Sequence, residues 1–112
     1  MDVVFQSTLK KWVKKHGDNR DLEVRLFAWL VHIKGQKVTK PSDIKKTLGS
    51  PDIIHTTKEA EMPEHLLRVV WNIGRDFRLV THVDVLSNSV FLKGLHSHKE
   101  YDRLNLNKHK YD

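Results

Sequence analysis

The stretch from residue 66 to residue 96 constrains the fold more than any other part of the chain. It contains three runs rich in β-branched and aromatic residues, LLRVVWNI, FRLVTHVDV and SVFLKGL. The segments that join them, GRD and LSN, have the composition of tight turns, and such short connections join antiparallel neighbours. The sequence therefore predicts a three-stranded, or slightly larger, antiparallel sheet over residues 66–96.

Residues 1–50 have mainly helical periodicity. A first helix is predicted between Ser7, as its cap, and Gly17, with an apolar stripe of Leu9, Trp12 and Val13. A second is predicted from near Asn19 to Lys34, and its apolar positions recur at helical spacing: Leu22, Leu26, Trp29, Leu30 and Ile33. The spacing of Asp21 and Arg25 also favours an ion pair within this helix.

A third, short helix is predicted in PSDIKKTLG, with Ser42 as its cap and with Ile44 and Leu48 facing inward. The segment SPDIIHTTKEAEMPEH that follows, residues 50–65, is predicted to be mainly loop. These elements predict a single α+β domain over residues 1–112, with two to three helices packed on one face of the sheet.

The motif HSHKEYD, residues 96–102, follows the third predicted strand. Ser97 and Glu100 have the spacing of a capping box, which predicts a short helix over about residues 97–106. His98 then lies in the first turn, where helix dipoles attract phosphate, and Tyr101 lies one turn further on the same side. Histidine exchanges protons near neutral pH and tyrosine stacks on bases. The plain alternative is a capped terminal helix without a catalytic role.

Strand alternation places a second set of polar residues on the sheet face away from the helices. This face is predicted to be exposed and to carry Arg68, Asn72, Arg78 and His82. With a net charge of +6 and a pI near 9.7, the chain favours polyanionic partners such as nucleic acid or an acidic protein. A basic sheet face is also typical of any solvated sheet in a basic protein.

Several classes of function are disfavoured. The absence of cysteine excludes disulfides and thiolate metal sites. No apolar run is long enough to span a membrane, and MDVVFQSTLKKW lacks the layout of a secretion signal. A cytoplasmic protein without membrane partners is therefore expected.

The ordered motifs in RVVWNIGRDFRLVTHVDVLSNSVFLKGLHSHKEYD, residues 68–102, resemble the HigB toxins of bacterial type II toxin–antitoxin modules, within the RelE/ParE-like group. In that family a strand such as RVVFNI leads through a glycine turn to YRL or FRL, and a basic residue precedes THxEYD. Lys93 stands where arginine is usual, and Ser97 replaces threonine. NIGRDFR is one residue shorter than the common NIGGNKYR, and HTTKEAEMPEH, residues 55–65, resembles an insertion.

This resemblance implies a RelE-like fold and an mRNA interferase, an endoribonuclease that cuts translated messages on the ribosome without a cofactor. The ribose 2′-OH would act as the nucleophile. The catalytic residues implied by position are Arg78, Lys93, His98 and Tyr101. Arg68 and Asn72 are implied to contact RNA, and His82 is added because it shares their face. The implied partner is a HigA-type helix-turn-helix antitoxin.

Three alternatives remain open from the sequence. Some toxins of the same fold group poison DNA gyrase and do not cut RNA, although the histidine–tyrosine motif argues against that activity. A winged-helix DNA-binding domain also combines helices, strands and basic charge. Finally, His96 and His98 form an H-x-H pair that could bind a metal, but the sequence supplies no third ligand nearby. We therefore predict no metal site.

Overall fold

The computed structural model describes residues 1–57, 60 and 62–111. Within them the helices are α1 (Thr8–Lys15), α2 (Arg20–Lys34), α3 (Pro41–Ile44) and α4 (His98–Arg103). The strands are β1 (Asp2–Val4), β2 (Asp52–Ile54), β3 (Leu66–Ile73), β4 (Phe77–Asp84) and β5 (Ser89–Ser97), and they form one sheet in the order β1-β5-β4-β3-β2. The predicted α+β, RelE-like class is confirmed.

β3, β4 and β5 form the predicted antiparallel meander. Its register is interrupted on β5, where Val80 pairs with Gly94 but Thr81 pairs with Leu92. Lys93 is therefore the extra residue of a β-bulge. The edge strands were not predicted: β1 pairs with β5 in parallel, and β2 pairs with β3. Three residues are too few for a strand periodicity to be visible, and the parallel pair makes the sheet mixed.

α2 matches its prediction closely. The Asn19 side chain accepts a hydrogen bond from the Leu22 amide at 3.0 Å, and Arg25 pairs with Asp21 at 2.8 Å. All five predicted core residues of this helix are buried. α1 differs at its start, because Ser7 has helical dihedral angles and its side chain caps nothing.

α3 is a single turn, and two details of its prediction are wrong. It begins at Pro41 with Lys40 in the cap position, so Ser42 is not the cap. Ile44 is buried as predicted, but Leu48 is 50% exposed. Because the helix ends at Ile44, the four-residue spacing no longer places Leu48 on the same side.

The main core lies between the helices and the inner face of the sheet. Trp29 of α2 meets Trp71 of β3 edge to face, with ring centroids 5.5 Å apart. The indole N–H of Trp71 donates to Thr81 Oγ1 at 2.8 Å, and that hydroxyl donates to the Val69 carbonyl at 3.1 Å. The polar groups of Trp71 and Thr81 are therefore paired inside this layer, whereas the buried indole nitrogen of Trp29 has no hydrogen-bond partner.

A second, smaller core lies on the outer face of the sheet. Leu106 packs there on Val70 and Val80, with Leu104 and Tyr111 beside it. Residues 104–111, which we call the covering segment, therefore lie across the middle of a face that was predicted to be open. The loop predicted for residues 50–65 contains β2, and residues 58, 59 and 61 of the expected insertion lie outside the described residues. No helix in the described ranges has the length and apolar character needed to cross a membrane.

Candidate active site on the outer sheet face

Arg78 of β4 is the centre of a polar cluster at one end of the outer face. Its cross-strand neighbours are Asn72 on β3 and His96 on β5. The guanidinium carbon lies 6.0 Å from the centroid of the Tyr101 ring, within range of a cation–π contact. Arg78 is therefore the residue of this cluster that neighbours both Asn72 and Tyr101, three residues that the sequence predicted for the site.

α4 begins next to this cluster. The Ser97 side chain accepts from the Glu100 amide at 3.2 Å, and the Glu100 carboxylate accepts from the Ser97 amide at 2.8 Å. The predicted capping box is confirmed, and the backbone hydrogen bond lowers the pKa of Glu100. The His98 amide donates to the Asp76 carbonyl at 2.7 Å, which fixes the helix start to the turn before β4. The helix ends at Arg103, somewhat earlier than predicted.

His98 has a partner that the sequence interpretation missed. Its Nδ1 lies 3.0 Å from Oδ2 of Asp102, one helical turn later, while the side chain remains about half exposed. A bond at Nδ1 orients the ring, so that Nε2 is the ring nitrogen on the side away from Asp102. The four-residue spacing in HKEYD was the available signal, since residues so spaced are neighbours on a helix.

Tyr101 is half-buried against the outer core, where it packs beside Val70, Val80 and Leu106. Burial is the main cause that raises its pKa above the ordinary tyrosine value, while the charge of Arg78 acts in the opposite direction. The phenol is therefore protonated at neutral pH, and it can act there as a hydrogen-bond donor but not as a base.

Arg68 and His82 are not exposed, which corrects the prediction for the centre of the outer face. Arg68 is 1% exposed and His82 is 6% exposed, because the covering segment lies over both. Arg68 Nη1 donates to the backbone carbonyls of Leu106 (2.6 Å) and His109, and Arg68 Nε donates to His82 Nε2 at 3.2 Å. Burial is the main cause that lowers the pKa of His82 to about 4, and the nearby positive charges add to it.

Lys93 lies away from the Arg78 cluster. With His82, Phe91 and His65 it lines a small pocket of about 250 Å³ at the other end of the outer face. His96, the strand neighbour of Arg78, is three residues further along β5, which corresponds to about 10 Å of extended strand. The structure therefore does not bring Lys93 and Arg78 to one point.

A comparison with protein families identifies the relationship. Residues 22–104, 83 of the 112 residues, match the family model described as HigB toxin, the RelE-like toxic component of a toxin–antitoxin system. The chain belongs to the HigB toxin family. No curated protein matches it.

Membership of the HigB toxin family has two consequences for the structure. A toxin of a toxin–antitoxin system implies an antitoxin as its partner. The match includes the whole meander, α4 and the motif HSHKEYD, but it ends at Leu104. Residues 105–111, which form most of the covering segment, therefore lie beyond the part that the HigB toxin model describes.

His96 of this HigB toxin is a second residue whose position the sequence did not reveal. It is half-buried, and Nε2 lies 2.8 Å from the hydroxyl of Tyr111 in the covering segment. Burial is the main cause that lowers its pKa. His96 and His98 thus have separate partners, and the described residues contain no group of three or more histidine, cysteine or acidic side chains placed to hold a metal ion.

Proposed function

We propose that this member of the HigB toxin family is an mRNA interferase, an endoribonuclease that cleaves messages on the ribosome by attack of the ribose 2′-OH. The observation that supports the proposal is that α4 carries both the His98–Asp102 pair and Tyr101, whose ring centroid lies 6.0 Å from the guanidinium carbon of Arg78. A proton-exchanging group, a fixed cation and a neutral hydroxyl donor are the groups that RNA transesterification requires.

The proposed reaction forms one bond and breaks one. The 2′-oxygen attacks the adjacent phosphorus and loses its proton, and the bond from phosphorus to the 5′-oxygen breaks while that oxygen gains a proton. The products are a 2′,3′-cyclic phosphate and a 5′-OH. Nε2 of His98 exchanges a proton in this scheme, and Asp102 holds the ring. Because the RNA supplies its own nucleophile, no metal-bound water is needed.

The charge on the phosphate has a separate set of partners. Arg78 would stabilise the negative charge that develops in the transition state, since a guanidinium can donate two parallel bonds to phosphate oxygens. Tyr101 would donate a hydrogen bond or stack on a base, and Asn72 would position a ribose or base through its amide. Lys93, at the other end of the face, would contact a neighbouring phosphate of the same strand.

The proposed partners follow from the proposed activity. The basic chain would meet the message inside the ribosome in the cytoplasm, and a HigA-type helix-turn-helix antitoxin would keep it inactive. An acidic region of that antitoxin would complement the net charge of +6.

The test is induced expression in a bacterium, with cell growth recorded and with cellular RNA ends and DNA breaks mapped. We expect growth arrest and new cuts inside translated messages. Arrest with DNA breaks and uncut messages would contradict the proposal and favour a gyrase poison. Harmless expression would also contradict the proposal.

A further inference from the structure

The middle of the outer face, between the Arg78 cluster and Lys93, is the part that the covering segment occupies. Besides the packing of Leu106, the segment is held by polar bonds: the Thr57 amide donates to the Asn107 carbonyl at 2.8 Å, and the Asn107 side chain donates to the His55 carbonyl. The covered area therefore lies on the shortest path between the two ends of the proposed RNA-binding face.

The guanidinium of Arg68 is the most unusual group under the segment. Nη1 donates to two backbone carbonyl oxygens, those of Leu106 and His109, while the buried Nη2 has no hydrogen-bond partner. Within the described part of the chain, no carboxylate pairs with Arg68. A planar cation of this kind fits the charged oxygens of a phosphate better than neutral carbonyls. The carbonyls therefore stand where phosphate oxygens would bind.

The ring of Tyr111 lies beside this cation, and the residues around it, Arg68, Gly94 and His96, form what we call the seat of Tyr111. The Arg68 guanidinium carbon is 5.2 Å from the centroid of its ring, and its hydroxyl meets His96 Nε2 at 2.8 Å. Gly94 forms the floor, because a Cβ there would lie 3.0 Å from a ring carbon of Tyr111. The rings of Tyr111 and His82 also lie edge to face, with their centroids 6.3 Å apart. A nucleobase is likewise a flat ring with a polar edge. A base bound in place of the Tyr111 ring would bring its phosphate next to the Arg68 cation.

We propose that the seat of Tyr111 is a binding site for one nucleotide of single-stranded RNA, with its phosphate on Arg68 and its base in place of the Tyr111 ring. The covering segment closes this site and leaves when RNA binds. The inference rests on the proposed function in taking RNA as the ligand. It extends the bound strand from the Arg78 cluster, across Arg68 and His96, to Lys93.

The first test is fluorescence anisotropy with a labelled 2′-O-methyl RNA oligonucleotide, which lacks the nucleophile and so cannot be cut by the proposed reaction. Tyr111→Ala removes the cation–π contact and the His96 bond, and so favours the open state; we expect about tenfold tighter binding. Tyr111→Phe keeps the ring and should tighten binding by less. Phe27→Ala, at an exposed aromatic on α2, is the matched control and should leave affinity unchanged.

The role of Arg68 is tested in the same assay. Adding Arg68→Met to Tyr111→Ala should abolish the gain in affinity, because the open seat then lacks its cation. Unchanged or weaker binding by a folded Tyr111→Ala variant would overturn the proposal, as would a double variant that keeps the whole gain. Circular dichroism establishes whether each variant is folded.

A second measurement uses the wild-type chain, so that it does not depend on the folding of any variant. The Thr57 amide, bonded to the Asn107 carbonyl, should exchange its hydrogen faster when the 2′-O-methyl RNA saturates the protein. Equal or slower exchange would contradict displacement of the segment. Both readouts are independent of cleavage, so failure to cut RNA would count against the proposed function alone.

Discussion

At the scale of single residues, starting the helix α4 does not explain the whole motif HKEYD, because it does not account for the pairing of His98 with Asp102. Glu100 serves the cap, Tyr101 packs toward the outer core, and the side chains of His98 and Asp102 meet each other at 3.0 Å. The proposed roles differ accordingly: His98 is a catalytic residue that exchanges a proton, and Asp102 is a positioning residue that acts through it.

These roles predict different effects in single-turnover cleavage. His98→Ala should lower the rate of cleavage by about a hundred- to ten-thousandfold, the range for a lost acid–base group. Asp102→Asn should lower the same rate by a smaller factor without weakening RNA binding, because it only loosens the ring. Asp18→Asn, an exposed position in the loop before α2, is the control. Near-normal cleavage by a folded His98→Ala variant would remove His98 from the mechanism.

His82 makes a prediction about stability and pH. Its pKa is lowered from 6.5 to about 4 by burial, so between these values the unfolded chain takes up a proton that the folded chain does not. The contribution of His82 to the free energy of unfolding is therefore complete above pH 6.5 and is lost as the pH falls toward 4. The loss amounts to about 3 kcal/mol, at 1.36 kcal/mol per pKa unit.

Urea unfolding at pH 7, 5.5 and 4 checks this. The free energy of unfolding of His82→Gln should fall less steeply between pH 7 and pH 4 than that of the wild type, while His55→Gln, at an exposed position, is the control and should follow the wild type. Carboxylates contribute equally to all three proteins, so the difference isolates His82. Parallel curves for His82→Gln and wild type would show that its burial does not control this pH dependence.

At the scale of elements, the predictable parts are those whose sequence repeats with a clear period. The meander and α2 were predicted because alternation and the 3.6-residue repeat extend over eight or more residues in each. β1 and β2 have three residues each and form only because a neighbouring strand offers an edge. The covering segment has Leu104, Leu106 and Tyr111 in a polar setting, and no local pattern reveals which surface they cover.

The two serines before helices give a matched prediction of stability. Ser97 accepts a hydrogen bond from the Glu100 amide, whereas Ser7 occupies the corresponding position of α1 and caps nothing. Ser97→Ala should therefore lower the free energy of unfolding by about 1 kcal/mol. Ser7→Ala should change it by less than about 0.5 kcal/mol. Equal losses in chemical unfolding would show that the capping box contributes nothing specific.

At the scale of the whole molecule, RNA binding should depend on salt, because the chain has a net charge of +6 and because the outer face carries cations at both of its ends. If Arg78, Arg68 and Lys93 each neutralise one phosphate, the logarithm of affinity should fall with the logarithm of salt concentration with a slope of about −2. Lys93→Gln should make that slope shallower by about 0.7. Lys10→Gln, on the exposed side of α1, is the control and should preserve it.

Anisotropy titrations at several salt concentrations provide the measurement, again with 2′-O-methyl RNA. Binding that is insensitive to salt would contradict phosphate contacts altogether. An equal effect of Lys10→Gln and Lys93→Gln would mean that the charge acts through the overall field of the protein and not through the outer face.

The central claim is that the ribose 2′-OH of the message is the nucleophile at the Arg78 and His98 site. The most direct test is cleavage, on programmed ribosomes, of a message with a single 2′-deoxyribonucleotide at the position whose 2′-OH would attack. We predict that the unmodified message is cut to a 2′,3′-cyclic phosphate and a 5′-OH, and that the deoxy-substituted message stays intact at that position. Equal cleavage of both messages would contradict the account, because the bond would then be broken without the 2′-OH.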